Sequence, residues 1–217
     1  RTAARLANPL PEEGEDGFEL LHERYAPKVR DLTLSLRGFY TKCAQFCSTR
    51  DEMVPAQYLA WCKTLQDAVP PELGPAEVRA VVEKSLGRRI DEVFDRFDDE
   101  PLGAASIGQV HRARVRDTGE EVVVKVQYPG VEAKFRGDIK TITDFCRLAM
   151  PQNVPFMTEI EKQFLTEFDY RAEAQNLLDV AEAVRPRWAH AVAIPEPLLR
   201  YCTRDVMVMT YLPGMKL

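Results

Sequence analysis

The residues that could do chemistry concentrate in one stretch, Leu102–Pro129. A run of tiny residues, Gly103-Ala104-Ala105-Ser106-Ile107-Gly108, feeds a strand pattern, a turn and a second strand pattern. That second strand carries a single lysine, Lys125, inside Val122-Val123-Val124-Lys125-Val126. A lysine embedded in β-branched residues is costly unless an anion partners it. Small residues let backbone approach a phosphate closely, and the lysine supplies a compact positive charge. The pattern suits a phosphorylated ligand.

A lysine so placed calls for an acid, and Phe164–Leu178 (FLTEFDYRAEAQNLL) offers Glu167, Asp169 and Glu173. On one continuous helix Glu167 and Asp169 diverge by about 200° and cannot both face one partner. Glu173, six beyond Glu167, again falls on a different face from it. Nearer the front, Lys42 and Gln45 sit three apart on an otherwise apolar helix pattern, Gly38–Cys47. They need polar partners, and the carboxylates of the later helix are natural candidates.

The elements that must position these groups follow from periodicity. Residues 1–17 read as a flexible lead-in rich in Pro, Gly and acids. Phe18–Thr49 is helical, with Pro27 and Gly38 as places to break or kink. Val54–Asp67 is a second helix, stopped by Pro70-Pro71. Pro75 opens a third through Leu86, with Gly87 as its C-terminal stop, and a short helix is expected at Ile90–Phe97.

Then the period changes. Gln109–Val115 and Glu121–Gln127 alternate around the turn residues Asp117-Thr118-Gly119, which predicts a hairpin. Val131–Met150 and Phe156–Val184 are long helical stretches separated by Pro151 and Pro155. Leu198–Tyr201 and Val206–Tyr211 predict a last hairpin. Helices, two strands, two helices and two strands make an α+β order rather than a parallel βαβ sheet.

Composition bounds the rest. The 217 residues are 45% hydrophobic, enough to fill a core, which excludes a disordered chain. With 29 basic and 34 acidic residues the net charge is −5, so nucleic acid is not an expected partner. No apolar run approaches the ~20 residues that cross a bilayer. Five scattered cysteines without a CxxC pair predict no disulfide framework and no zinc site, and a reducing compartment.

Taken together, these segments resemble the UbiB (ADCK) family of atypical, protein-kinase-like proteins, from about Gly38 to Leu217. Lys42-Cys43-Ala44-Gln45 is similar to the family's KxGQ signature, with alanine in place of the glycine. Leu65-Gln66-Asp67-Ala68-Val69-Pro70-Pro71 resembles its L-Q-D-x-V-P-P. Gly103-Ala104-Ala105-Ser106-Ile107-Gly108-Gln109-Val110-His111 resembles its alanine-rich loop, with Gly103 at the first alanine. Val124-Lys125-Val126-Gln127-Tyr128-Pro129-Gly130-Val131, the ExD triplet Glu167-Phe168-Asp169, and the hinge-like Val208–Gly214 complete the series.

The resemblance implies a kinase-like N-lobe over 99–217, ending at the hinge with the C-lobe absent from this chain, preceded by a KxGQ-type helical extension over 18–98. It implies ATP, or ADP, bound by Gly103, Ala104, Ala105, Ser106 and Lys125, with the adenine at Met209, Thr210, Tyr211 and Leu212. Glu173 would be the ion-pair partner of Lys125. Lys42 and Gln45 of the extension would meet Glu167 and Asp169. No H-x-D loop and no D-F-G occurs in these residues, so no catalytic residue or metal ligand is assigned here, and magnesium would be held C-terminal to this segment.

The implied full-length function is that of an atypical kinase or ATPase in isoprenoid-quinone metabolism of mitochondria or chloroplasts. Quinone-biosynthesis proteins or lipid and a peripheral membrane contact are the expected partners. The alternative is a non-catalytic, nucleotide-sensing scaffold for a lipid-biosynthetic complex.

Overall fold

The computed structural model describes residues 15–52, 54–67 and 69–214. The expected lead-in lies outside them, except that Glu15–Gly17 already opens the first helix. The chain divides into two compact units, Arg1–Val69 and Pro70–Leu217.

The first unit is helical: α1 (Glu15–Leu36), α2 (Gly38–Cys47) and α3 (Ala56–Asp67). Pro27 lies inside α1 without ending it. The break falls instead at Arg37-Gly38, where both residues take positive φ (56° and 47°), a conformation glycine adopts freely. Ala44 of α2 packs with Cys62 and Leu65 of α3 in a small buried cluster.

The second unit is built on a four-stranded antiparallel sheet in the order β1-β2-β3-β4. The strands are β1 (Phe94–Ala104), β2 (Gly108–Val115), β3 (Glu121–Gln127) and β4 (Val206–Thr210). Helices α4 (Pro75–Leu86) and α5 (Ile90–Val93) precede the sheet. Three more, α6 (Val131–Ala149), α7 (Val154–Leu165) and α8 (Tyr170–Trp188), lie between β3 and β4. Helix α4 begins with proline after extended Gly74 and ends at left-handed Gly87.

Alternation sorts the sheet into two faces. One face buries Ala113, Val115, Val122, Val124, Val126, Val206 and Val208 against Val78 and Val82 of α4, Ile90 and Val93 of α5, Phe94 and Tyr201. On the other, Met207 and Met209 pack with Tyr170, Ala174 and Leu177 of α8 and with Ile107.

Four sequence expectations are corrected. Phe94–Phe97, expected to end a short helix, instead starts β1, and Gly103 and Ala104 belong to that strand rather than to a loop. Asp98, Asp99, Glu100 and Pro101 are poor strand formers, tolerated because β1 is an edge strand with three shifts of register. Leu198–Tyr201 is no full strand. Pro197 makes an isolated bridge to Met209, and Leu199–Tyr201 is a 3₁₀ turn.

The stretch 156–184 is not one helix. Helix α7 ends at Leu165, a 3₁₀ turn covers Thr166–Phe168, and Asp169 is the extended N-cap of α8. The helical-wheel argument about Glu167, Asp169 and Glu173 therefore does not apply to the folded chain.

Candidate functional site

Lys125 stands on the α8 face of the sheet, opposite Val110 on β2 and Met207 on β4. Its ammonium donates to both carboxylate oxygens of Glu173, at 2.6 and 2.7 Å. Two of three N–H donors are thereby used, which leaves one for a further anion. The Lys125 side chain is 21% exposed and that of Glu173 40%, so the pair is reachable from solvent.

Beneath the lysine lies Tyr170, fully buried, with its ring centroid 4.6 Å from the ammonium nitrogen. Burial is the main cause that raises the Tyr170 phenol well above its ordinary value, so it stays protonated. Its ring gives the cation an electron-rich seat.

The small-residue run is a strand end and a tight turn. Gly103 pairs with Val110 and Ala104 with Gln109, so the turn proper is Ala105-Ser106-Ile107. It is closed by the Ala105 amide donating to the Gly108 carbonyl at 2.7 Å, and Ser106 is buried. A Cβ at Gly103 would meet nothing within 4 Å, so the family's alanine fits there. At Gly108 a Cβ would lie 2.5 Å from the Val126 carbonyl oxygen and 2.6 Å from the Tyr170 hydroxyl. Only glycine lets β2 run so close to β3 and α8.

Met209 and Thr210 end β4, and Tyr211 and Leu212 follow. The Thr210 amide donates to the Glu196 carbonyl and the Tyr211 amide to the Glu121 carbonyl, at 2.9 and 3.0 Å. Both amides are therefore occupied by the fold. The Arg112 guanidinium lies 4.4 Å from the Tyr211 ring centroid and pairs with Glu121.

Glu167 sits in the 3₁₀ turn before α8. Asp169 accepts from the Arg171 amide at 3.0 Å and pairs with the Arg171 guanidinium. The Arg171 hydrogen bonds are the main cause that holds its carboxyl below the usual range. Asp169 thus starts the helix that carries Tyr170 and Glu173.

In the first unit, Lys42 and Gln45 lie on α2, both half-buried. The Gln45 amide donates to the Leu65 carbonyl at 2.8 Å, tying α2 to α3. Ala44, in place of the signature glycine, is buried among Cys62 and Leu65, so the extra methyl is accommodated. All five cysteines are free, and burial pushes the Cys43 thiol up to about 12 and Cys62 up to about 11. Cys43 and Cys62 are thus inert thiols that pack as small apolar groups.

Gln109 and His111 on β2 are buried polar side chains to which the sequence reading assigns no role. Their signal was available, because both occupy inward positions of an alternating strand.

Residues 64–217 match the family model described as the ABC1 atypical kinase-like domain. The chain belongs to this family. It is 36% identical to a probable protein kinase UbiB of Azotobacter vinelandii, covering 87% of this chain and 36% of that protein. It is 32% identical to AarF domain-containing protein kinase 1 of Mus musculus, over 89% of this chain and 37% of that one. A chloroplastic relative from Arabidopsis thaliana, ACTIVITY OF BC1 COMPLEX KINASE 8, is 35% identical over 87% of this chain and 26% of its own length.

The chain therefore spans about a quarter to somewhat over a third of these relatives. Among solved structures, Rv3197 of Mycobacterium tuberculosis, in complex with erythromycin, matches with a TM-score of 0.53 and 29% identity, covering 92% of this chain and 51% of that one. The four-stranded antiparallel sheet with its packed helices is the N-lobe arrangement of this kinase-like family. No helix among the described residues is long and apolar enough to cross a membrane.

Proposed function

We propose that the second unit of this ABC1 (UbiB-type) chain binds ATP, with the phosphates under the Gly103–Ser106 segment and against Lys125. The observation that carries the reading is the Lys125–Glu173 pair, two strong charge-assisted contacts on an open sheet face beside a small-residue turn. Glu173 holds the ammonium in one place, the Tyr170 ring supports it from below, and the remaining N–H donor points the charge at a phosphate oxygen. The adenine would lie along Met209–Leu212. Because the Thr210 and Tyr211 amides are already bonded within the fold, its backbone contacts would fall on their carbonyls and on Leu212.

On this reading 99–217 is the nucleotide lobe, which carries Glu167 and Asp169, and 18–98 a helical extension, which carries Lys42 and Gln45. Among the described residues no group of His, Cys, Asp and Glu gathers as a metal site. The full-length protein would be an atypical kinase or ATPase supporting isoprenoid-quinone lipid metabolism. Relatives named chloroplastic support an organellar setting, and membrane contact would be peripheral.

Equilibrium titration of the full-length protein with ATP tests the site. Lys125→Ala is expected to weaken ATP at least tenfold, with Glu173→Gln weakening it less. Unchanged affinity in Lys125→Ala would remove the lysine from the site.

A further inference from the structure

We propose that Gln109 and His111 are positioning residues that clamp both arms of the Ala105–Ile107 turn. Gln109 is 1% exposed and His111 0%, among valines and alanine on the α4 face of the sheet. Polar groups buried there cost about 1–3 kcal/mol each if unpaired. Instead every donor and acceptor on the two side chains finds a partner.

The Leu73 amide donates to Gln109 Oε1 at 3.2 Å, and Gln109 Nε2 donates to the Leu73 carbonyl at 3.3 Å. Gln109 Nε2 and His111 Nε2 are 2.9 Å apart, as are His111 Nδ1 and the Asp98 carbonyl oxygen. A carbonyl only accepts, so Nδ1 carries the proton. Nε2 of the neutral ring is then an acceptor, matched by the second Gln109 hydrogen. Phe97 stacks on the ring at 5.3 Å.

The anchoring points explain the placement. Between Phe97↔Ala113 and Pro101↔His111, four steps of β1 oppose two of β2, so the edge strand bulges at Asp98–Glu100 just before the turn. His111 holds the Asp98 carbonyl and pins that bulge. Gln109, opposite Ala104, holds the Leu73 backbone and pins the start of β2 to the segment entering α4. Each arm of the turn is fixed by one side chain, and the two side chains fix each other.

The network is closed for neutral imidazole alone. A second ring proton would point Nε2–H at the Gln109 amine. Arg79, Asp98 and Asp99 are the charged neighbours of the ring, and burial lowers its proton affinity below the ordinary value.

Hydrogen exchange and ATP titration of the full-length protein test the clamp. The variants are Gln109→Leu, His111→Leu and His111→Asn, with Val82→Ala as a control that weakens the same core outside the network. The clamp predicts at least tenfold faster exchange at 103–108 in both leucine variants, beyond the change at the 116–120 turn. His111→Asn, whose amide can still donate to the Asp98 carbonyl, should recover part of that protection.

The extension to ligand rests on the nucleotide reading: ATP should weaken severalfold in the leucine variants and not in Val82→Ala. If wild type ignores ATP, that reading fails while the exchange contrast still tests the clamp. Exchange that rises uniformly over the sheet, as in Val82→Ala, would overturn it.

Discussion

The two faces of one sheet do different work here. The face toward α4 and α5 is a closed wall of valines, and its two polar residues bond only to their neighbours and to backbone. The face toward α8 leaves a charged pair partly open, with Lys125 and Glu173 over the Tyr170 ring. Neighbouring residues on one strand, Val124 and Lys125, thus belong to different tasks because side chains alternate. Stability and ligand chemistry can then be perturbed separately, one residue apart in sequence.

The largest effect expected is on the closed face. Phe94→Ala removes a buried ring beside Phe97 and Tyr201 and should cost about 3–5 kcal/mol in denaturant unfolding. Gly108→Ala joins the two faces, since its Cβ would strike the Val126 carbonyl and the Tyr170 hydroxyl. A loss of about 1–3 kcal/mol is expected, together with a displaced turn and weaker ligand binding. Asp169→Ala, on the open side, should cost only about 1 kcal/mol by uncapping α8.

A smaller effect is pH-dependent. His111 has a folded-state pKa below its ordinary value of 6.5, so the unfolded chain takes up the proton first. Its contribution is complete above about pH 6.5 and is lost as pH falls from there toward the folded value. The stability gap between wild type and His111→Asn should shrink on acidification through that window. A gap that widens would contradict the neutral network.

Where local signals agreed, the sequence was readable. The β2–β3 hairpin has clean alternation around Asp117-Thr118-Gly119, and α4 has Pro75 and Gly87 at its ends. Strand β1 was hidden because Asp98-Asp99-Glu100-Pro101 has loop chemistry and pairs only by bulging on an edge. The break before α8 was hidden because Thr166-Glu167-Phe168 fits helical spacing, and the stop is a cap made by Asp169.

Lys125 stood out as a charge among valines. Glu173 lies 48 residues away, beyond any local spacing rule; it was one of three candidate acids, and the family resemblance singled it out. Gln109 and His111 were visible as polar residues at inward positions, but their partners are backbone atoms that no residue type encodes.

The central claim, that the Lys125–Glu173 pair on the open face serves the ligand and not the fold, is tested by thermal unfolding of full-length Lys125→Ala with and without ATP. A part-exposed ion pair is worth about 1 kcal/mol or less, so the free variant should unfold within a few degrees of wild type. The ATP-induced rise in Tm should be lost. A variant that unfolds far earlier while keeping the ATP-induced rise would contradict the account.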